Sequence, residues 1–101
     1  MYDDSMTKEI FEKALGISAP WFIDDGELGK DGIFHITIDF DDAAFPSMVD
    51  SVEMEWRHLS FFQYPSLITA RIPRVKDERG KIRKVTPAWK KTVDGLVSMT
   101  S

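Results

Sequence analysis

The sequence contains no cysteine. That excludes a disulfide framework and any thiolate metal site, and it leaves the redox compartment unmarked. No apolar run approaches the roughly 18 residues of a membrane-spanning helix. The acidic N-terminus is unlike a secretion signal. A cytoplasmic location with no membrane partner is the expectation. Internal repeats, low-complexity segments and linkers are also missing, so the 101 residues read as one domain. There is no Ser-His-Asp or Cys-His arrangement, no glycine-rich phosphate loop and no paired carboxylates in a signalled pocket. Neither a catalytic site nor a cofactor is expected.

What is present suffices for a core. Apolar residues make up 43% of the chain and aromatic ones 12%, enough to fold without a covalent or metal staple. The net charge of -4 hides a division along the chain. Residues 1–70 carry four basic residues (Lys8, Lys13, Lys30, Arg57) against fourteen acidic ones. Residues 71–101 carry nine basic residues against Asp77, Glu78 and Asp94. Such asymmetry has two readings, a surface that faces a polyanion or a solvated face whose cations pair with the acidic half.

The pattern predicts an α+β domain. A helix over about 5–15, capped by Asp4 or Ser5, carries Ile10, Phe11 and Leu15 on its apolar stripe and stops at Gly16. Lys8 with Glu12, and Glu9 with Lys13, are spaced to pair on its outer face. Residues 21–28 are extended, Gly29-Lys30-Asp31-Gly32 is a turn, and 33–40 is a strand. Phe34, Ile36, Ile38 and Phe40 point one way; His35, Thr37 and Asp39 point the other. Strands are expected over 52–62, with a bulge near His58 where the apolar parity switches, and over 67–75 and 81–86. Pro73 argues for an edge position or a bulge. Asp77-Glu78-Arg79-Gly80 is a turn, and Pro87 opens a short final helix with Val93 and Leu96 facing inward. The expected fold is an N-terminal helix, antiparallel hairpins and a short C-terminal helix.

The stretch Trp56-Arg57-His58-Leu59 … Phe61-Phe62-Gln63 … Ala70-Arg71 … Pro73-Arg74-Val75 resembles a segment of ISL-three-type insertion-sequence transposases. Upstream, Pro20-Trp21, a hairpin ending in Ile38-Asp39-Phe40, and Phe45-Pro46 follow the same order, so the resemblance spans roughly residues 8–90. It implies an N-terminal zinc-ribbon-like domain with two Cys-x-x-Cys-like pairs. Their places here read Ser47-Met48-Val49-Asp50 and Asp77-Glu78-Arg79-Gly80. Tetrahedral zinc needs four thiolate or imidazole ligands at short spacing, and two isolated His do not supply them. A degenerate, metal-free domain is therefore expected, stabilised instead by a Trp56, Phe61, Phe62 and Leu67 cluster. The resembled transposases also carry an acidic-triad nuclease domain and a helix-turn-helix, neither of which fits into 101 residues. The loss of the Cys positions favours a stand-alone remnant over an excised piece.

Among individual candidates, His58 and His35 read as bonded strand residues, and Asp39, Asp41 and Asp42 as a solvated loop without calcium-loop spacing. Trp56, Phe61, Phe62 and Tyr64 fit a base-stacking platform, but aromatics on alternating strands are first of all core. The candidate interface is Arg71, Arg74, Lys76, Arg79, Lys81, Arg83 and Lys84, on two strands and their connecting turn. A two-stranded ribbon fits the major groove, and guanidinium groups hold phosphates bidentately. The functional expectation is a non-catalytic, transposase-derived N-terminal domain contacting duplex DNA at transposon ends. The alternative is a protein-interaction module or inhibitor acting on a transposase subunit or another DNA-binding partner.

Overall fold

The computed structural model describes residues 4–61 and 64–98, with side chains described for 8–57 and 65–96. Helix α1 (Asp4–Leu15) ends where Gly16 takes φ +74°, a conformation costly for residues with a Cβ. Ile17 N–H then bonds back to Glu12 O and Gly16 N–H to Lys13 O, closing the helix as a Schellman motif. Glu9 and Lys13 pair along its outer face at 3.4 Å. Phe11 and Leu15 are buried, as is Ile17 beyond the cap. Ile10 is not: it is 49% exposed, off the stripe that the spacing predicts for it. A helix advances about 100° per residue, so Ile10 and Phe11 cannot both face a narrow contact.

Strands β1 (Trp21–Leu28) and β2 (Phe34–Phe40) form an antiparallel hairpin through the 29–32 turn. After a single 3-10 turn (Asp42–Ala44), β3 (Met48–Phe61) and β4 (Tyr64–Lys76) form a second, longer one. Strand β5 (Ile82–Lys84) adds a short third antiparallel pairing to β4, and α2 (Lys90–Ser98) ends the described chain. The sheet order is β1-β2-β4-β3, with β5 on β4. The antiparallel hairpins expected from the sequence are joined by a parallel pairing of β2 with β4, from Phe34↔Ser66 to Ile38↔Ala70. The sheet is therefore mixed.

Two irregularities had sequence signals. Between Trp56 and Leu59 the β3 register slips against Ile68 and Ser66, which is the bulge expected near His58. Pro73 lies within β4 opposite Ser51. Its carbonyl accepts Val85 N–H, so its own nitrogen points to the same side, between the stretches that β2 and β5 occupy. No ladder bond is lost there, which is how an internal strand accommodates a proline.

Ile36, Ile38, Phe40, Trp56, Ile68, Ala70 and Ile72 form the inner sheet face and share one buried cluster with Phe11, Leu15, Trp89 and Val93. Both helices thus lie on this face. Trp89 is its centre, edge to face with Trp21 and with Trp56, each at 5.5 Å. The sequence pattern predicts Leu67 in this core, but Leu67 lies between buried Ser66 and Ile68 and points to the opposite face, where it is half-buried. The Phe61 side chain and all of Phe62 lie outside the described residues. Pro87 does not open α2; its carbonyl accepts Lys90 N–H in a turn that places Trp89, and the helix begins at Lys90. Val93 is fully buried and Leu96 packs beside the core. Among the described residues no helix is long and apolar enough to cross a membrane.

Candidate nucleic-acid interface

The β4–β5 hairpin turns on Asp77. Its carboxylate accepts the backbone N–H groups of Arg79 and Lys81, each at 2.9 Å, while Gly80 takes φ +79°. Asp77 N–H bonds Lys81 O and Gly80 N–H bonds Asp77 O, closing the turn. The Lys81 and Arg79 amides, together with the Arg83 guanidinium, hold the Asp77 carboxyl below the usual carboxylate range. One side chain thus satisfies turn donors that would otherwise need water.

The seven cations anticipated from the sequence are all on this hairpin, but they divide into two groups. Arg71 on β4 donates to Asp39 at 2.8 Å and also to Asp42, and its guanidinium carbon lies 4.3 Å from the Phe40 ring centre. These partners, Asp39 first, raise its pKa further and keep it charged. Arg74 forks onto both oxygens of Asp50, its cross-strand partner on β3, which lowers the Asp50 pKa. Arg83 reaches Asp77 at 3.2 Å. These three arginines are internally neutralised. Lys76, Arg79, Lys81 and Lys84 make no ion pair among the described residues, and all four are exposed.

Strand register sorts their directions. Arg74↔Lys84 and Lys76↔Ile82 are cross-strand pairs, so these four side chains share one face of the ribbon. Val75↔Arg83 occupies the other. Arg74 with Lys76 was readable from the i, i+2 spacing; the joining of Lys84 to that face needed the register. Of the acidic loop, Asp39 and Asp42 are occupied by Arg71, and Asp41 caps the 3-10 turn by accepting Ala43 N–H. His35 Nε2 sits 3.5 Å from Asp31. The side chains of His58 and Tyr64 lie outside the described residues.

Of the two segments that stand where the resemblance implies metal-ligand pairs, 47–50 runs along 74–76, and 77–80 is the turn that follows. Lys76 N–H donates to Ser47 O at 3.1 Å, and Met48 pairs with Val75. Their side chains do not suit a tetrahedral zinc: a hydroxyl, a thioether and carboxylates replace thiolate and imidazole. Asp50 is taken by Arg74 and Asp77 by the turn. Among the described residues no group of three or more His, Cys, Asp or Glu is placed to hold a metal. Comparison with family models, with curated proteins and with solved structures finds no match.

Proposed function

We propose that this chain is a non-catalytic, transposase-derived N-terminal domain whose β4–β5 hairpin contacts duplex DNA through the phosphate backbone. The observation that carries this reading is the set of four exposed cations, Lys76, Arg79, Lys81 and Lys84, on one short ribbon and without an ion-pair partner among the described residues. A cation that must first leave a carboxylate gains less from a phosphate than one held only by water. Arg71, Arg74 and Arg83 therefore brace the ribbon, and the four others bind.

Binding is expected to be weak, with Kd in the roughly 1–100 µM range of non-specific complexes, and steeply salt-dependent through counterion release. Anisotropy of a labelled duplex across a salt series tests it. Replacing Lys76, Arg79, Lys81 and Lys84 by Ala should lower the slope of log K against log salt by up to about three to four. Stability should stay within about 0.5 kcal/mol, as for exposed substitutions generally. No binding at low salt, or a slope unchanged in the variant, removes the DNA reading.

A protein-partner reading has its own observation. The sheet face opposite the helices exposes Asp25, Glu27, Glu53 and Glu55. A basic surface on a transposase subunit would complement it. Loss of the DNA reading would promote this one.

A further inference from the structure

Ile82 is the single apolar residue of β5 and is 50% exposed, on the ribbon face it shares with Arg74, Lys76 and Lys84. Across β4, Val52 and Met54 pack against the flank of the core and remain partly exposed. With Arg74, Lys84 and the β3-edge residue Glu53, these three apolar side chains line an open depression of about 480 Å³. Strand alternation turns the Glu53 side chain to the face opposite Val52 and Met54. The depression thus has apolar patches, one wall formed by Arg74, which Asp50 neutralises, and one by exposed Lys84, with Lys76 close by; neither lysine has an ion pair among the described residues.

We infer that this depression receives the base of an unpaired nucleotide, its phosphate held by the Lys84 and Lys76 side of the groove. The inference rests on the DNA-binding reading and narrows its target to DNA ends or junctions with unpaired bases. Phosphates alone give no role to Ile82, Val52 and Met54; a flat, weakly hydrated ring does. The Met54 thioether is polarisable and suited to an aromatic face. In a duplex each base hides that face in the stack and offers only its edge. An unpaired base offers it freely, and base-face contacts are tolerant of sequence. The charge of Lys84 on the same ribbon face as Lys76 selects a nucleotide over a neutral apolar ligand.

The test compares three labelled DNAs at one ionic strength: a blunt duplex, the same duplex with a single-stranded thymidine overhang, and one whose overhang is abasic. The abasic strand carries the same phosphates and no rings. The thymidine overhang is expected to bind about threefold tighter than the abasic one, as for burial of roughly 30 Å² of apolar surface. Ile82→Ser should erase that difference while leaving blunt-duplex affinity and its salt slope unchanged, and half-exposed Ile82 makes it a variant that folds. Lys76→Ala should weaken all three DNAs while keeping the preference for the thymidine over the abasic overhang, and serves as the contrast. Equal affinity for the thymidine and abasic overhangs, or a preference that survives in Ile82→Ser, overturns this inference and leaves duplex binding standing. No binding to any of the three at low salt removes both readings together.

Discussion

Trp56 and Trp89 meet edge to face at 5.5 Å, and their indole N–H groups have different fates. Trp56 Nε1 donates to Asp94 on α2 at 2.8 Å, which ties β3 to the C-terminal helix. Trp89 Nε1 is buried and has no acceptor among the described residues. Truncating Trp56 to Ala removes ring packing and leaves a cavity, so a loss of about 3–5 kcal/mol is expected. Denaturant melts would read this directly, and a variant as stable as the parent would mean that the ring is not core. Trp89→Phe is different. It gives up some buried area but also removes a donor whose desolvation is uncompensated, a penalty of about 1–3 kcal/mol. The two effects oppose, and a net change within about 1 kcal/mol is expected in the same melts. Trp56 was legible because it alternates with Val52 and Met54. Trp89 was not, because the turn from Pro87 to Lys90 has neither helical nor strand period to assign it a face.

At the scale of elements, local chemistry was readable wherever a turn or cap needs a particular residue. Gly16, the 29–32 turn and the Asp77–Gly80 turn all stand as their residue types require. The β1 limits also stand, since Pro20 and Gly29 bracket them. What the pattern could not give is the partner of β2. Parallel and antiparallel neighbours place the same residues on the same face, so alternation in 34–40 is silent about direction. Leu67 misled because alternation along β4 separates two faces without saying which one is covered, and Ser66, Ile68 and Ala70 take the buried one. Helix α2 offers a test of element stability. Gly95 lies in its interior, a methyl group added there would meet nothing within 4 Å, and the position needs no left-handed conformation. Gly95→Ala should therefore raise stability by about 0.5–1 kcal/mol through helix propensity and reduced unfolded-state freedom. A higher Tm with an unchanged m-value would bear this out. A lower one would mean that α2 is not helical at 95 in solution.

Across the whole molecule, the opposed charge of the two halves is resolved by pairs that cross between them. Asp39 and Asp42 hold Arg71, and Asp50 holds Arg74. The sequence showed the imbalance, but not which cations would be neutralised, because pairing depends on the β3–β4 register and on the 3-10 turn that brings Asp42 to β4. The same carboxylates give the fold a direction of pH dependence. Asp50 is lowered by Arg74, Asp77 by the Lys81 and Arg79 amides and Arg83, Asp94 by Lys90 and the Trp56 N–H, and Asp31 by the Ile33 amide and His35. A carboxyl whose folded pKa lies below its unfolded one binds fewer protons when folded, so stability rises with pH through that interval. The contribution is complete above the unfolded value and is lost as pH falls through it toward the folded one. Stability should thus be nearly flat between about pH 5 and 7 and decline below about pH 4. Because these groups are largely exposed, salt should flatten the decline. Denaturant titrations at several pH values check it, alongside Asp50→Asn with Asp77→Asn. That double variant should be less stable than the parent near neutrality and should approach it in acid, where the parent's carboxylates are protonated. If the gap between the two proteins is as wide in acid as at neutrality, the stabilisation at Asp50 and Asp77 does not come from their charge.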